Sequence, residues 1–88
     1  PSLEQLKATI RGAGLRSTAP RVAVLKRLIV ATTPVSHGEL TDTLAEEGMD
    51  RTTVYRNLVD LTEAGLVQRT DLGDHVWRFE LKRGDGES

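Results

Sequence analysis

The stretch "DRTTVYRNLVDLTEAGLV", residues 50–67, puts side chains of unlike chemistry on opposite sides of one helix. At about 100° per residue, Val54, Leu58 and Leu61 gather on one side, with Gly65 closing the line. Thr52, Arg56, Val59 and Glu63 gather on the other, with Tyr55 on its shoulder. The first set is a core stripe. The second offers water a hydroxyl, a guanidinium, a branched aliphatic and an aromatic ring, groups that suit base edges and phosphates. Thr52 can hydrogen-bond a phosphate or a base edge, and Arg56 can donate in bidentate fashion to guanine O6 and N7. Val59 and the Tyr55 ring can lie against thymine methyls. The plain alternative is a solvated face with one stray valine, because much of any protein surface is apolar. The surrounding elements decide between the two.

Other reactive residues do not assemble into a site. Ser36 and His37 are chain neighbours, so their side chains point apart and form no nucleophile–base pair. Glu46, Glu47 and Asp50 crowd a helix end and a cap, which is surface and capping chemistry. The glycines are scattered at helix ends and turns and form no phosphate-cradling loop. His37 and His75 stand far apart without cysteine, short of the three or four ligands that zinc or iron needs; both are expected as surface histidines. Arg83-Gly84-Asp85 is a chance match to an adhesion tripeptide. Trp77, on a strand with Val76 and Arg78, is expected to pack against the helices, the alternative being a stack on the sugar–phosphate edge. No enzyme is expected.

These residues need a frame. Ser2-Leu3-Glu4-Gln5 has the form of a capping box, and Leu3, Leu6 and Ile10 follow at helical spacing until Gly12 or Gly14 ends the helix. A second helix starts near Thr18 with Pro20 in its first turn; Val22, Leu25, Leu28 and Ile29 form its stripe, and Pro34 lies beyond it. Ser36-His37-Gly38-Glu39 is a second capping box, opening a third helix that buries Leu40, Leu44 and Ala45 and stops at Gly48. Asp50 caps the fourth. The period then changes to two: residues 66–70 and 76–81 are strands around Leu72-Gly73-Asp74-His75, a hairpin. The expected fold is mainly α with a small antiparallel β-hairpin, a winged helix-turn-helix over residues 1–82. Residues 83–88 are expected as a polar tail or the start of a linker. In such a fold the second helix of the pair enters the DNA major groove and the wing lies over flanking backbone.

Eighty-eight residues allow one small domain, and single copies of Phe, Trp and Tyr leave its core to Leu, Val, Ile and Ala. Without cysteine, disulfides and thiolate sites are excluded; with no secretory signal, a cytoplasmic location is the expectation. The apolar runs are far too short to span a membrane. The net charge of -1 conceals a segregation: residues 1–33 carry +5, residues 34–65 carry -5 and the remainder -1. Such a field can steer a polyanion to one face.

The assembled residues resemble the DNA-binding half of the ferric uptake regulator family of bacterial metal- and redox-responsive repressors. "GLRSTAPRVAVLKRL", residues 14–28, resembles the family's Gly-Leu-Arg-x-Thr-x-x-Arg opening, and "TTVYRNLVDLTEAGLVQR", residues 52–69, its Ala-Thr-Val-Tyr-Arg-x-Leu…Gly-Leu-Val signature. "WRFEL", residues 77–81, resembles the close of its wing. The resemblance implies that Tyr55 and Arg56 contact bases, that Arg16 reaches toward the minor groove and that Arg21 contacts the backbone. Thr52 stands where the family has Ala, so its role follows from the helix face alone. Arg69 and Arg78, on the wing, are expected on phosphates.

The same resemblance implies a homodimeric full-length regulator on A/T-rich inverted repeats of double-stranded DNA, binding Zn, Fe, Mn or Ni. The domain alone is expected to bind no metal and to be monomeric or weakly associating. Pro34 occupies the position where the family supplies a metal-ligating His, and of the ligand positions only Glu80 matches; one carboxylate is not a metal site. A winged helix used for protein contact, through the acidic third helix (Glu39, Asp42, Glu46, Glu47), is the competing expectation.

Overall fold

The computed structural model describes residues 2–82; the expected tail at 83–88, with Arg83-Gly84-Asp85, lies outside them. The order is α1 (Leu3–Gly12), α2 (Ala19–Val30), β1 (Val35–Ser36), α3 (His37–Leu44), α4 (Arg51–Glu63), β2 (Val67–Asp71) and β3 (Trp77–Leu81), with a 3-10 turn at Ala45–Glu47. Each helix starts where a side chain satisfies its first orphan amides. Both capping boxes form: the Gln5 amide donates to Ser2 Oγ at 3.2 Å and the Glu39 amide to Ser36 Oγ at 3.1 Å. The Gln5 and Glu39 side chains return the bond, accepting from the cap amides at 2.8 and 2.9 Å. Thr18 and Asp50 cap α2 and α4 through the Arg21 and Thr53 amides. Gly48, with φ of 82°, takes the left-handed turn that stops the 3-10 segment and aims the chain into α4.

One core joins these elements. Leu6 and Ile10 of α1, Val22, Val24, Leu25 and Leu28 of α2, Leu40 and Leu44 of α3, and Val54, Leu58 and Leu61 of α4 meet Val67 and Phe79 from the sheet. Leu3, expected in the first stripe, is exposed because it lies at the open end of α1. The sheet has three strands in the order β1-β3-β2, all antiparallel, rather than the two of a simple hairpin. β1 pairs Val35 with Phe79 and Ser36 with Arg78. Two residues cannot display a period, so this strand exists only because β3 offers it a free edge. No helix of the described residues is long and apolar enough to cross a membrane.

Three carboxylates that hold turns sit below the ordinary carboxylate range. The Ser36 amide is the main cause for Glu39, the Thr53 amide for Asp50, and the Val76 amide, then Arg78, for Asp74. The unfolded chain therefore binds more protons in acid than the folded one does. This contribution to stability is complete above the unfolded pKa values, about 4, and is lost as pH falls through the folded ones. Thermal melting should be flat toward neutrality and fall in acid, and Asp50→Asn, which keeps a cap acceptor without the charge, should blunt that fall. An acid limb of equal depth in the variant would show that the Asp50 cap does not contribute to it.

Candidate nucleic-acid interface

The outer side of α4 presents Thr52, Tyr55 and Arg56 to solvent, with Tyr55 48% exposed. Val59 is half-buried and turns toward the wing, where it lines a cleft of about 200 Å³ with Tyr55, Glu63, Arg69 and Phe79. Among the described residues, Arg56 and Arg69 make no salt bridge, so both guanidiniums are available to an anion.

His37, the first residue of α3, braces this helix. Its Nε2 lies 3.0 Å from the Arg51 carbonyl, an acceptor, which requires the proton on Nε2. Its ring packs against Tyr55 at 5.3 Å between centroids, tilted by 51°. The expectation of a plain surface histidine is thus replaced by a wedge that fixes the first turn of α4 and one side of the Tyr55 ring.

Arg16 is exposed in the loop between α1 and α2. Arg21, expected toward the DNA backbone, turns inward, and its side chain is 14% exposed. Nε donates to Asn57 Oδ1 at 3.1 Å, Nη2 to Asp60 Oδ2 at 2.6 Å and Nη1 to the Arg16 carbonyl at 2.9 Å. Asn57, 7% exposed, spends its own amide on the Thr53 carbonyl at 2.8 Å. All three guanidinium nitrogens are therefore engaged within the chain, tying α2 to α4 and to the loop that carries Arg16. The helical wheel held the signal for Asn57: it lies beside Leu61 at the edge of the inward side, a polar residue that must find partners when buried. Arg21→Ala deprives all three acceptors of this donor; with Asp60 partly in water, about 2 kcal/mol of stability should go and melting should fall about 10 °C. Arg21→Lys should recover only part of this, because an ammonium cannot span three acceptors in one plane. Melting unchanged in Arg21→Ala would refute the tie.

On the wing, Arg78 is held by Asp74 at 2.9 Å, and Arg69 lies over the Trp77 ring, 4.8 Å from its centroid. Trp77 is 55% exposed and does not pack on the helices as expected. It shares a strand face with Phe79, but the helical core ends at Phe79, one pleat short of it.

Among the described residues no three His, Cys, Asp or Glu side chains gather. Glu80 accepts from Gln68 Nε2 at 3.1 Å, and His37 Nε2 faces a carbonyl. The residues present do not fit a bound zinc or iron ion. Part of the N-terminal excess of positive charge faces acidic side chains. Lys7 and Lys26 line a groove with Leu3 and Glu47, and Arg27 pairs with Glu47.

Comparison with known proteins agrees with this frame. The model of the Ferric uptake regulator family matches residues 12–87. The peroxide-responsive repressor PerR of Staphylococcus aureus is 32% identical over 81 residues, 90% of this chain and 55% of that protein. The chain thus spans about half the length of the curated relatives it matches. Among solved structures, the ferric uptake regulator of Pseudomonas aeruginosa with manganese superposes with a TM-score of 0.76 at 37% identity, over 86% of this chain and 59% of that one. The Vibrio cholerae ferric uptake regulator gives 0.77 at 30% identity, over 88% and 61%.

Proposed function

Because the chain belongs to the ferric uptake regulator family, we propose that it reads double-stranded DNA by sequence, as the DNA-binding module of a metal- or redox-responsive repressor. The observation that carries this is the outer side of α4: Thr52, Tyr55 and Arg56 exposed together, with Arg56 free of carboxylate partners among the described residues. In the major groove, Arg56 supplies the bidentate donor, Tyr55 and Val59 the apolar contact and Thr52 a bond to phosphate or base edge. Arg16, Arg69 and Arg78 take flanking phosphates. Arg21 acts as a positioning residue, setting the angle of α4 and the loop of Arg16.

The preferred site is an A/T-rich inverted repeat met by two copies, one per half-site, in a cytoplasmic homodimer whose signal is a metal or an oxidant. A single copy binds weakly, since the effective concentration provided by a linked second module is absent. No catalytic step is assigned to any residue.

Salt separates DNA reading from a protein-docking use of the acidic α3 surface. Engagement of about three phosphates should give a slope near -3 when log affinity is plotted against log salt. Anisotropy titrations of a duplex recovered by random-sequence selection, and of its scrambled counterpart, should both show steep salt loss while the selected duplex stays ahead. Selection that enriches no sequence, with a flat salt response, would sink the proposal and favour the acidic face.

A further inference from the structure

We propose that Trp77 and Arg69 form a flat ledge on the wing that packs against the deoxyribose–phosphate chain of one DNA strand as it passes between the wing and α4. This rests on the DNA-binding function above and adds to it a contact that recognises the sugar–phosphate chain rather than base sequence.

An exposed aromatic ring alone means little, since single apolar residues are common on surfaces. The setting is what distinguishes Trp77. β2 pairs Arg69 with Phe79 and Asp71 with Trp77, so Arg69 lies diagonal to the indole on the same strand face. Its guanidinium covers one side of the ring at 4.8 Å, leaving the rest of the indole open. The pair borders a cleft of about 430 Å³ whose opposite wall is the start of α3 and α4. That wall brings Arg51, Tyr55 and His37 to face Arg69, Val76 and Trp77. Each wall carries one arginine and aromatic rings, and among the described residues no carboxylate lines the cleft, the nearest on the strand face being Asp71, paired across from Trp77.

A nucleic-acid strand alternates an apolar sugar face with an anion, and this cleft offers a partner for each, an open indole and two arginines. The indole matches the sugar, and Arg69 and Arg51 match the phosphates on either side. Stacking on Trp77 also holds Arg69 in place before binding, so less of its rotamer freedom is lost in the complex. An acidic protein segment would suit the two arginines but would leave the open indole face without a planar or cyclic partner.

The chain has one tryptophan, so its intrinsic emission reports on the ledge alone. A dye-labelled duplex of mixed sequence suffices as the probe, because the contact is with sugar and phosphate. Anisotropy and tryptophan emission would be read on the same samples at low salt. Emission should change with the same midpoint as anisotropy. Trp77→Ala should weaken binding about tenfold, equally for mixed and selected duplexes, while Trp77→Phe recovers most of the loss and melting of both variants stays at wild type. Rising anisotropy with constant emission, or wild-type affinity in Trp77→Ala, overturns the ledge and leaves DNA binding standing. No rise in anisotropy overturns both. Tighter binding of a single strand than of the duplex would make the occupant an unpaired base and also overturns it.

Discussion

Arg56→Ala is expected to lower affinity for the selected duplex by about ten- to a hundredfold, to leave weak binding to scrambled DNA nearly intact, and to leave melting unchanged. A bidentate guanidinium–guanine pair contributes roughly 1–3 kcal/mol of discrimination, and about 1.4 kcal/mol is a factor of ten. The prediction separates reading from holding. Arg56 is exposed and makes no salt bridge among the described residues, so its removal takes nothing from the fold. In the proposed complex the other arginines would still neutralise phosphates, so non-specific attraction should persist. Anisotropy titrations of the two duplexes at one salt concentration, beside thermal melts, give the result. An equal fall for both duplexes would reduce Arg56 to a phosphate contact and move specificity to Tyr55, Val59 or Thr52.

Two residues on, the opposite result is expected. Leu58 is fully buried at the centre of the inward side of the same helix. Leu58→Ala should remove about 3 kcal/mol through lost burial and the cavity left behind. In a domain of this size that lowers the melting temperature by about 15 °C. At a temperature where the variant is still folded, DNA preference should survive, because the reading side chains are untouched. A shift of a degree or two would mean that the core collapses around the gap; lost preference in a folded variant would mean that the pose of α4 depends on Leu58 itself. The pair of variants turns the two sides of one helix into two separable measurements.

The helix starts were legible because their causes are local. A Ser, Thr or Asp followed three residues later by the amide it caps is a signal contained within one turn, and all four helices begin where those residues stand. The alternation of the wing was legible for the same reason, with the first strand shifted by one residue to Val67–Asp71 and the second starting one residue later, at Trp77–Leu81. β1 was not, since its pairing partners lie more than forty positions away in β3.

Trp77 had the right strand and the wrong surroundings. The structure puts it on the same strand face as Phe79, and only the assembled core shows that this face runs out before the indole. His37 went the other way: as a capping-box neighbour it looked incidental, and the turn between α3 and α4 folds it back onto Arg51 and Tyr55.

The sequence by itself placed Thr52, Tyr55, Arg56 and Glu63 outward on α4, because a 3.6-residue period puts them opposite the buried stripe; Val59, on the same side, is half-buried because the wing comes over it. It determined the caps and turns through bonds spanning three or four residues. Only the tertiary structure decided what Arg21 does: its side-chain partners Asn57 and Asp60 are 36 and 39 residues away. An arginine's charge can serve a phosphate or a carboxylate equally well, and no local rule chooses between them. The packing of α2 against α4 chooses, by placing two acceptors within reach of the guanidinium before any DNA arrives.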